Sequence, residues 1–185
     1  MENKVFNKQT KLSPHFTLGE LCKTSVNSLD GNIPGQEEIE NLKRLCPWLE
    51  ELRRRYNERY VFEEGGRRKE EGEYFKGREE CGVRSENREE AEEPIVITSG
   101  YRSPEVNRAV GGSPTSNHLT GCAVDIRCAG VEQAIRYAAI LLDIADEWEQ
   151  DFDELLTEHN RKGRYWVHFA VKPKDNRRKI LFLQK

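Results

Sequence analysis

Ser116-Asn117-His118-Leu119-Thr120-Gly121-Cys122-Ala123-Val124-Asp125 is the stretch on which the reading of this chain turns. Its first half is polar, and Gly121 permits the tight turn that ends it. Its second half opens a strand running from Cys122 to Arg127. Side chains alternate along a strand, so Ala123, Asp125 and Arg127 share one side while Val124 and Ile126 take the other. A carboxylate at Asp125, between two apolar neighbours, is costly there unless it is paired or holds a cation. Downstream, Trp166-Val167-His168-Phe169-Ala170-Val171 repeats the pattern: an apolar strand with one ionisable residue inside it. If the two strands pair, Asp125 and His168 meet on one face, and His118 joins them from the loop. Two imidazoles and a carboxylate suit Zn²⁺ and leave a fourth position for water. A buried Asp–His pair without metal satisfies the same residues, and spacing alone does not choose between the two. Cys122 and Cys128 lie an odd number of positions from Asp125, so they read as small core residues.

Outward from this stretch, Ile95 to Thr98 reads as a short buried strand and Ser99-Gly100-Tyr101 as a turn. Ser103-Pro104 then starts a helix, with serine as cap and proline at the first helical position. Gly111-Gly112-Ser113-Pro114 breaks it. Val131, Ala134, Ile135, Ala138, Leu142, Ala145 and Trp148 recur at helical spacing, and Ile180 to Leu183 is a closing strand after a Lys-Pro-Lys-Asp-Asn turn. Toward the N-terminus, Thr17 caps a helical turn containing Glu20. Ile39, Leu42, Leu45, Cys46, Leu49, Leu52 and Tyr56 mark an amphipathic helix, which Pro47 is expected to kink or interrupt. The pattern predicts an α+β fold, a small antiparallel sheet with flanking helices, as a single domain over residues 1–185. Between the amphipathic helix and the first strand, residues 63–93 hold 19 Glu, Lys or Arg among 31 positions. Too little apolar surface is available there to offset ordering entropy, so the segment reads as a mobile insertion.

At 185 residues the chain has room for one ordinary core. The formal net charge is −3 and basic residues are spread out, so the clustered positive surface that nucleic acid requires is missing. Arg53-Arg54-Arg55, flanked by Glu50, Glu51 and Glu58, reads as a solvated helix face. No apolar run is long enough to span a membrane. Five cysteines at irregular spacing, with no secretory h-region at the start, argue against a disulfide framework. Synthesis in the cytoplasm without a signal peptide is the corresponding expectation, with action on a wall only after release. The chain is expected to be monomeric.

Ser116-x-His118-x-x-Gly121-x-Ala123-x-Asp125, followed by Trp166-x-His168, resembles the signature of the M15 zinc peptidases. That group includes D-Ala-D-Ala carboxypeptidases, vancomycin-resistance dipeptidases and phage endolysins. Ile97-Thr98-Ser99-Gly100-Tyr101-Arg102-Ser103-Pro104 is similar to a second motif of the group. Phe16-Thr17-Leu18-Gly19-Glu20-Leu21 resembles the start of its short, single-domain branch. The resemblance implies a Hedgehog/DD-peptidase-like fold and Zn²⁺ held by His118, Asp125 and His168. It also implies Arg102 orienting the substrate, with Ser116 lining the site or shaping the His118 loop. A peptidoglycan stem peptide is the implied partner. No sequence feature separates a carboxypeptidase from an endopeptidase.

One position departs from the group. Many relatives carry an acid three residues before the second histidine, where this chain has Tyr165. The general base must then come from elsewhere. Glu158, read as standing at a helix end before the Trp-x-His strand, is the first candidate and Glu154 the second; Tyr165 becomes an oxyanion or substrate contact. His159 reads as a loop histidine. The missing acid also keeps open a rival from another class, a non-catalytic zinc-binding module of the same fold that recognises a wall peptide or a protein partner.

Overall fold

The computed structural model describes residues 7–62 and 92–184. The charged insertion read over residues 63–93 lies outside the described residues except for its last two. Described residues begin with a capped turn, α1 (Leu18–Leu21). Thr17 accepts from the Glu20 backbone, and the Glu20 carboxylate bonds back to the Thr17 backbone. This reciprocal box is the one the sequence leads one to expect. Helix α2 (Gln36–Tyr56) follows and passes into one π-helical turn at Asn57–Phe62.

Pro47 does not interrupt α2, contrary to expectation. Leu42, Leu45 and Cys46 before it and Trp48, Leu49 and Leu52 after it are all buried in the same core. Their packing holds the two halves in one continuous helix at the cost of a single missing backbone donor.

Helix α3 (Pro104–Ala109) carries the expected Ser103 cap and N1 proline. Helix α4 (Val131–Glu147) is the second long one. The strands are β1 (Ile97–Ser99), β2 (Ala123–Cys128), β3 (Glu154–His159), β4 (Tyr165–Ala170) and β5 (Lys179–Gln184). They form one sheet in the order β1-β2-β4-β3-β5. Helices and a five-stranded sheet make this an α+β fold. The sheet is mixed, which corrects the antiparallel expectation. β5 turns back from β4 but docks on the far side of β3, so it runs parallel to β3. The other three pairings are antiparallel.

A second correction concerns residues 154–159. They form a strand in the interior of the sheet, between β4 and β5. Glu158 is therefore a buried strand residue, and His159 ends that strand. Glu-Leu-Leu-Thr-Glu carries strong helix formers, so local propensity pointed the wrong way and sheet pairing overrode it.

Register fixes which side chains meet. Asp125 lies opposite His168, and His168 lies opposite Leu156. One face thus carries Asp125, Arg127, His168, Trp166, Glu154 and Glu158. The other carries Val124, Ile126, Val167, Phe169 and Leu155, all fully buried. That apolar face packs under α2 and α4: Trp48 meets Phe169 with ring centroids 5.2 Å apart, and Phe152 lies 5.7 Å from Phe169.

Candidate active site

His118 belongs to a single 3₁₀ turn, Asn117–Thr120, whose Ser116 cap accepts from the His118 backbone. Gly121 ends the turn with a φ of 69°, and a Cβ there would sit 2.5 Å from the Glu38 carbonyl oxygen. Only glycine allows this turn to press onto α2, and Asn41 of α2 ties it down by donating to the Thr120 carbonyl. Gly100 works in a similar way. A Cβ there would lie 2.0 Å from the Leu21 carbonyl oxygen, so the close passage of this turn over α1 requires glycine. The Gly100 carbonyl then accepts from His118 Nδ1 at 2.6 Å. With its proton on Nδ1, the neutral imidazole turns a lone pair on Nε2 inward.

Three donor atoms converge. His118 Nε2 lies 3.2 Å from Asp125 Oδ1 and 3.2 Å from His168 Nδ1, and the last two are 2.9 Å apart. All three residues are buried. Tetrahedral zinc with bonds of about 2.0–2.1 Å separates its donors by roughly 3.3 Å, so this triangle is close to the size such an ion needs. Among the described residues no other group of His, Cys, Asp or Glu converges in this way. Cys22, Cys46 and Cys128 lie in the core, and the Cys122 thiol is buried with its hydrogen toward the Thr120 carbonyl.

Each ligand candidate is held from behind. His168 Nε2 faces Glu154 Oε2 at 3.5 Å, and Asn117 donates to that same oxygen. Asp125 Oδ2 receives the Arg102 guanidinium, which Ser99 Oγ also holds at 2.7 Å. Behind Glu154 lies Asp153, fully buried, with Arg177, Lys172 and Asn117 around its carboxylate. Charges respond accordingly. Burial pushes the His118 imidazole below its ordinary pKa, which favours the neutral, ligand-competent form. Burial would depress His168 as well, but Asp125 and Glu154 outweigh it and lift it to about 9. Burial opposes ionisation of Asp125, yet the two imidazoles hold its carboxyl well below the usual range. The protein thus draws positive charge to the point where the donor atoms meet.

These residues border a cleft of about 380 Å³ that Arg102, Ser116, Glu158 and Trp166 also line. Glu158 Oε2 accepts from Trp166 Nε1 at 2.5 Å. Tyr165 is not brought to the cleft. It has the parity of Val167 and Phe169, so its ring leaves the His168 face and stacks on His159 with centroids 5.2 Å apart. The residue also borders a separate, larger cavity beyond Trp166. Asn117, Asp153 and the Gly100 carbonyl were not anticipated. Only the alternation Glu154-x-Leu156-x-Glu158, read as a strand, could have signalled that two acids share the histidine face.

Residues 75–162 match the sequence profile of the family described as Peptidase M15. That match supports an M15-family peptidase. The matched span takes in His118, Asp125, Glu154 and Glu158 and stops short of His168. The mixed sheet with its helices is consistent with the fold of M15 peptidases, which are generally metallopeptidases. No curated protein matches the chain. No helix among the described residues is long and apolar enough to cross a membrane.

Proposed function

We propose that this M15 peptidase is zinc-dependent and hydrolyses a D-amino-acid-containing peptide bond of bacterial peptidoglycan, as a carboxypeptidase or an endolysin-type endopeptidase. The observation that carries the metal assignment is the triangle of His118 Nε2, Asp125 Oδ1 and His168 Nδ1. Both imidazoles have their remaining nitrogen fixed by Gly100 and Glu154, the outer-shell arrangement common to ligating histidines. A divalent ion held there supplies a Lewis acid that polarises the scissile carbonyl and acidifies water. The chain's own groups do the rest. Glu158, lining the same cleft, takes the proton of the attacking water and delivers it to the leaving amine. Trp166 fixes the direction of that carboxylate through its indole N–H. Arg102 steadies Asp125 and presents its positive edge to a substrate carbonyl or terminal carboxylate, while Ser116 shapes the His118 loop. We further propose that the chain acts as a monomer on stem peptides after release from the cytoplasm.

Digestion of purified peptidoglycan, with mass analysis of the released ends, tests the substrate and tells the two bond types apart. Elemental analysis of chelator-free protein should find about one zinc per chain, lost in His118→Ala and His168→Ala. Glu158→Gln should keep the zinc and lose about 10²–10⁴-fold in kcat. Stoichiometric zinc in both histidine variants removes the ligand assignment. Near-wild-type turnover by Glu158→Gln moves the base elsewhere.

A further inference from the structure

Beyond Trp166, on the side away from Ser116, the cleft borders a larger cavity of about 940 Å³. The two share Arg102, Asp125 and Trp166. Arg127 and Arg164 also line the larger one, and among the described residues its sole acid is Asp125. Both Asp125 oxygens are already engaged, one by Arg102 and one by the two imidazoles. In a chain with 33 acids and 30 Lys and Arg, an unanswered basic pocket calls for a reason. Elsewhere most arginines are answered: Arg55 by Glu51 and Glu147, Arg59 by Asp143, Arg177 by Asp153, Arg178 by Asp146 and Asp151. Among the described residues neither Arg127 nor Arg164 has an ion pair or a side-chain hydrogen bond.

Their placement is tied to the site. Arg127 shares the β2 face with Asp125, two residues further on, and lies opposite Trp166. Arg164 precedes β4 with the parity of Trp166 and His168. Its backbone is clamped by Asn160, whose amide donates to the Arg164 carbonyl and whose side chain accepts from the Arg164 amide. At about 3.3 Å per strand residue, the two guanidinium stems start roughly 7 and 13 Å from the histidine–aspartate cluster. An extended peptide covers that in about two to four residues.

Building on the peptidase reading, we propose that this cavity is an anion subsite: Arg127 and Arg164 receive a substrate carboxylate two to four residues from the bond that is cut. Planar guanidinium groups suit a carboxylate better than any neutral group, because each offers parallel donors as well as charge. A side chain and the peptide's C-terminus both supply such a carboxylate, and the same experiment tells them apart. Three versions of one synthetic wall stem peptide are compared: with all carboxylates free, amidated at its acidic side chain, and amidated at its C-terminus.

KM should rise about three- to tenfold on amidating one of the two positions, with kcat unchanged. Arg127→Gln and Arg164→Gln should each raise KM for the free-acid peptide by a similar factor and leave it unchanged for the sensitive amide. Calorimetric titration of the same peptides gives a readout that needs no turnover. Carboxylate-selective binding without cleavage of any peptide keeps the subsite and removes the peptidase substrate reading. Cleavage with equal KM for all three peptides, or an equal KM rise for acid and amide in both variants, overturns the subsite and leaves the peptidase reading standing.

Discussion

The two faces of the sheet are built from the same strands and differ in almost everything else. Val124, Ile126, Leu155, Val167 and Phe169 point under α2 and α4 and are fully buried. Asp125, Glu154, Trp166 and His168 are their immediate chain neighbours, yet they point the other way into a polar cleft that Glu158 also lines. One residue of register separates a core from a reaction site. The apolar face needs only hydrophobic volume to hold; the polar face needs each buried charge answered, because unpaired charge away from water is costly. The lesson is that stability and chemistry should respond to different substitutions one residue apart.

The largest effect is expected on the apolar face. Phe169 is fully buried and touches Trp48 and Phe152. Phe169→Ala should lower the unfolding free energy by about 3–5 kcal/mol, through lost transfer energy and the cavity left behind. Arg127→Ala, on the same sheet but exposed on the other face, should stay within about 0.5 kcal/mol. Urea titrations of both variants check this. Similar losses for the two would dissolve the contrast between the faces.

Much of this arrangement was legible in the sequence. Alternation around Asp125 and His168 announced which residues point together, since period two is a geometric property of any strand. Thr17, Ser103 and Gly121 announced their turns because cap and left-handed positions admit few residue types. Residues 154–159 did not announce themselves. Their Leu-Leu core flanked by Glu has helix propensity, and only pairing on both edges makes them a strand. That misreading put Glu158 at a solvated helix end when it is buried beside Trp166. The continuity of α2 through Pro47 was equally hidden, because it depends on packing against distant strands. Nor could any local pattern show that Tyr165 turns toward His159.

Acid should break the polar face first. Burial raises the Asp153 carboxyl, but its bonds to Arg177, Lys172 and Asn117 outweigh this and hold it well below the ordinary range. Glu154 is lowered to about 2, chiefly by His168, against the opposing effect of burial. A carboxyl whose folded pKa is depressed contributes stability above its unfolded value, near pH 4. It loses that contribution as pH falls toward the folded value. Metal-stripped protein should therefore lose on the order of 1–3 kcal/mol per such group between about pH 5 and pH 2. Asp153→Asn should be less stable at neutral pH and show a correspondingly flatter acid limb. Thermal melts across this range decide it; an unchanged acid limb in Asp153→Asn would mean that the pairing of buried Asp153 with Arg177 does not couple to folding.

Glu154→Gln should have only a small effect on the fold and sharpens the comparison most, because Glu154 and Glu158 share one face of one strand. Glu154 Oε2 stands 3.5 Å from His168 Nε2, while its other oxygen meets Arg177 and Lys179. So placed, it orients a ligand candidate and is itself held from behind, which suits a positioning residue. Glu158 lines the cleft itself and is directed by the neutral Trp166 indole. Glutamine at 154 keeps the shape and the Asn117 contact but removes the charge that favours His168. Stability of the metal-stripped protein should fall by about 1 kcal/mol, the low end of the range expected for such a depressed carboxyl. Zinc affinity should fall by about 10–100-fold, the usual consequence of losing an outer-shell partner. At saturating zinc, kcat should largely recover, because the proton-transfer group is untouched. If Glu154→Gln instead keeps full zinc affinity and loses turnover that added zinc does not restore, the two acids exchange roles. Glu154 is then the base, and Glu158 a buried support for Trp166.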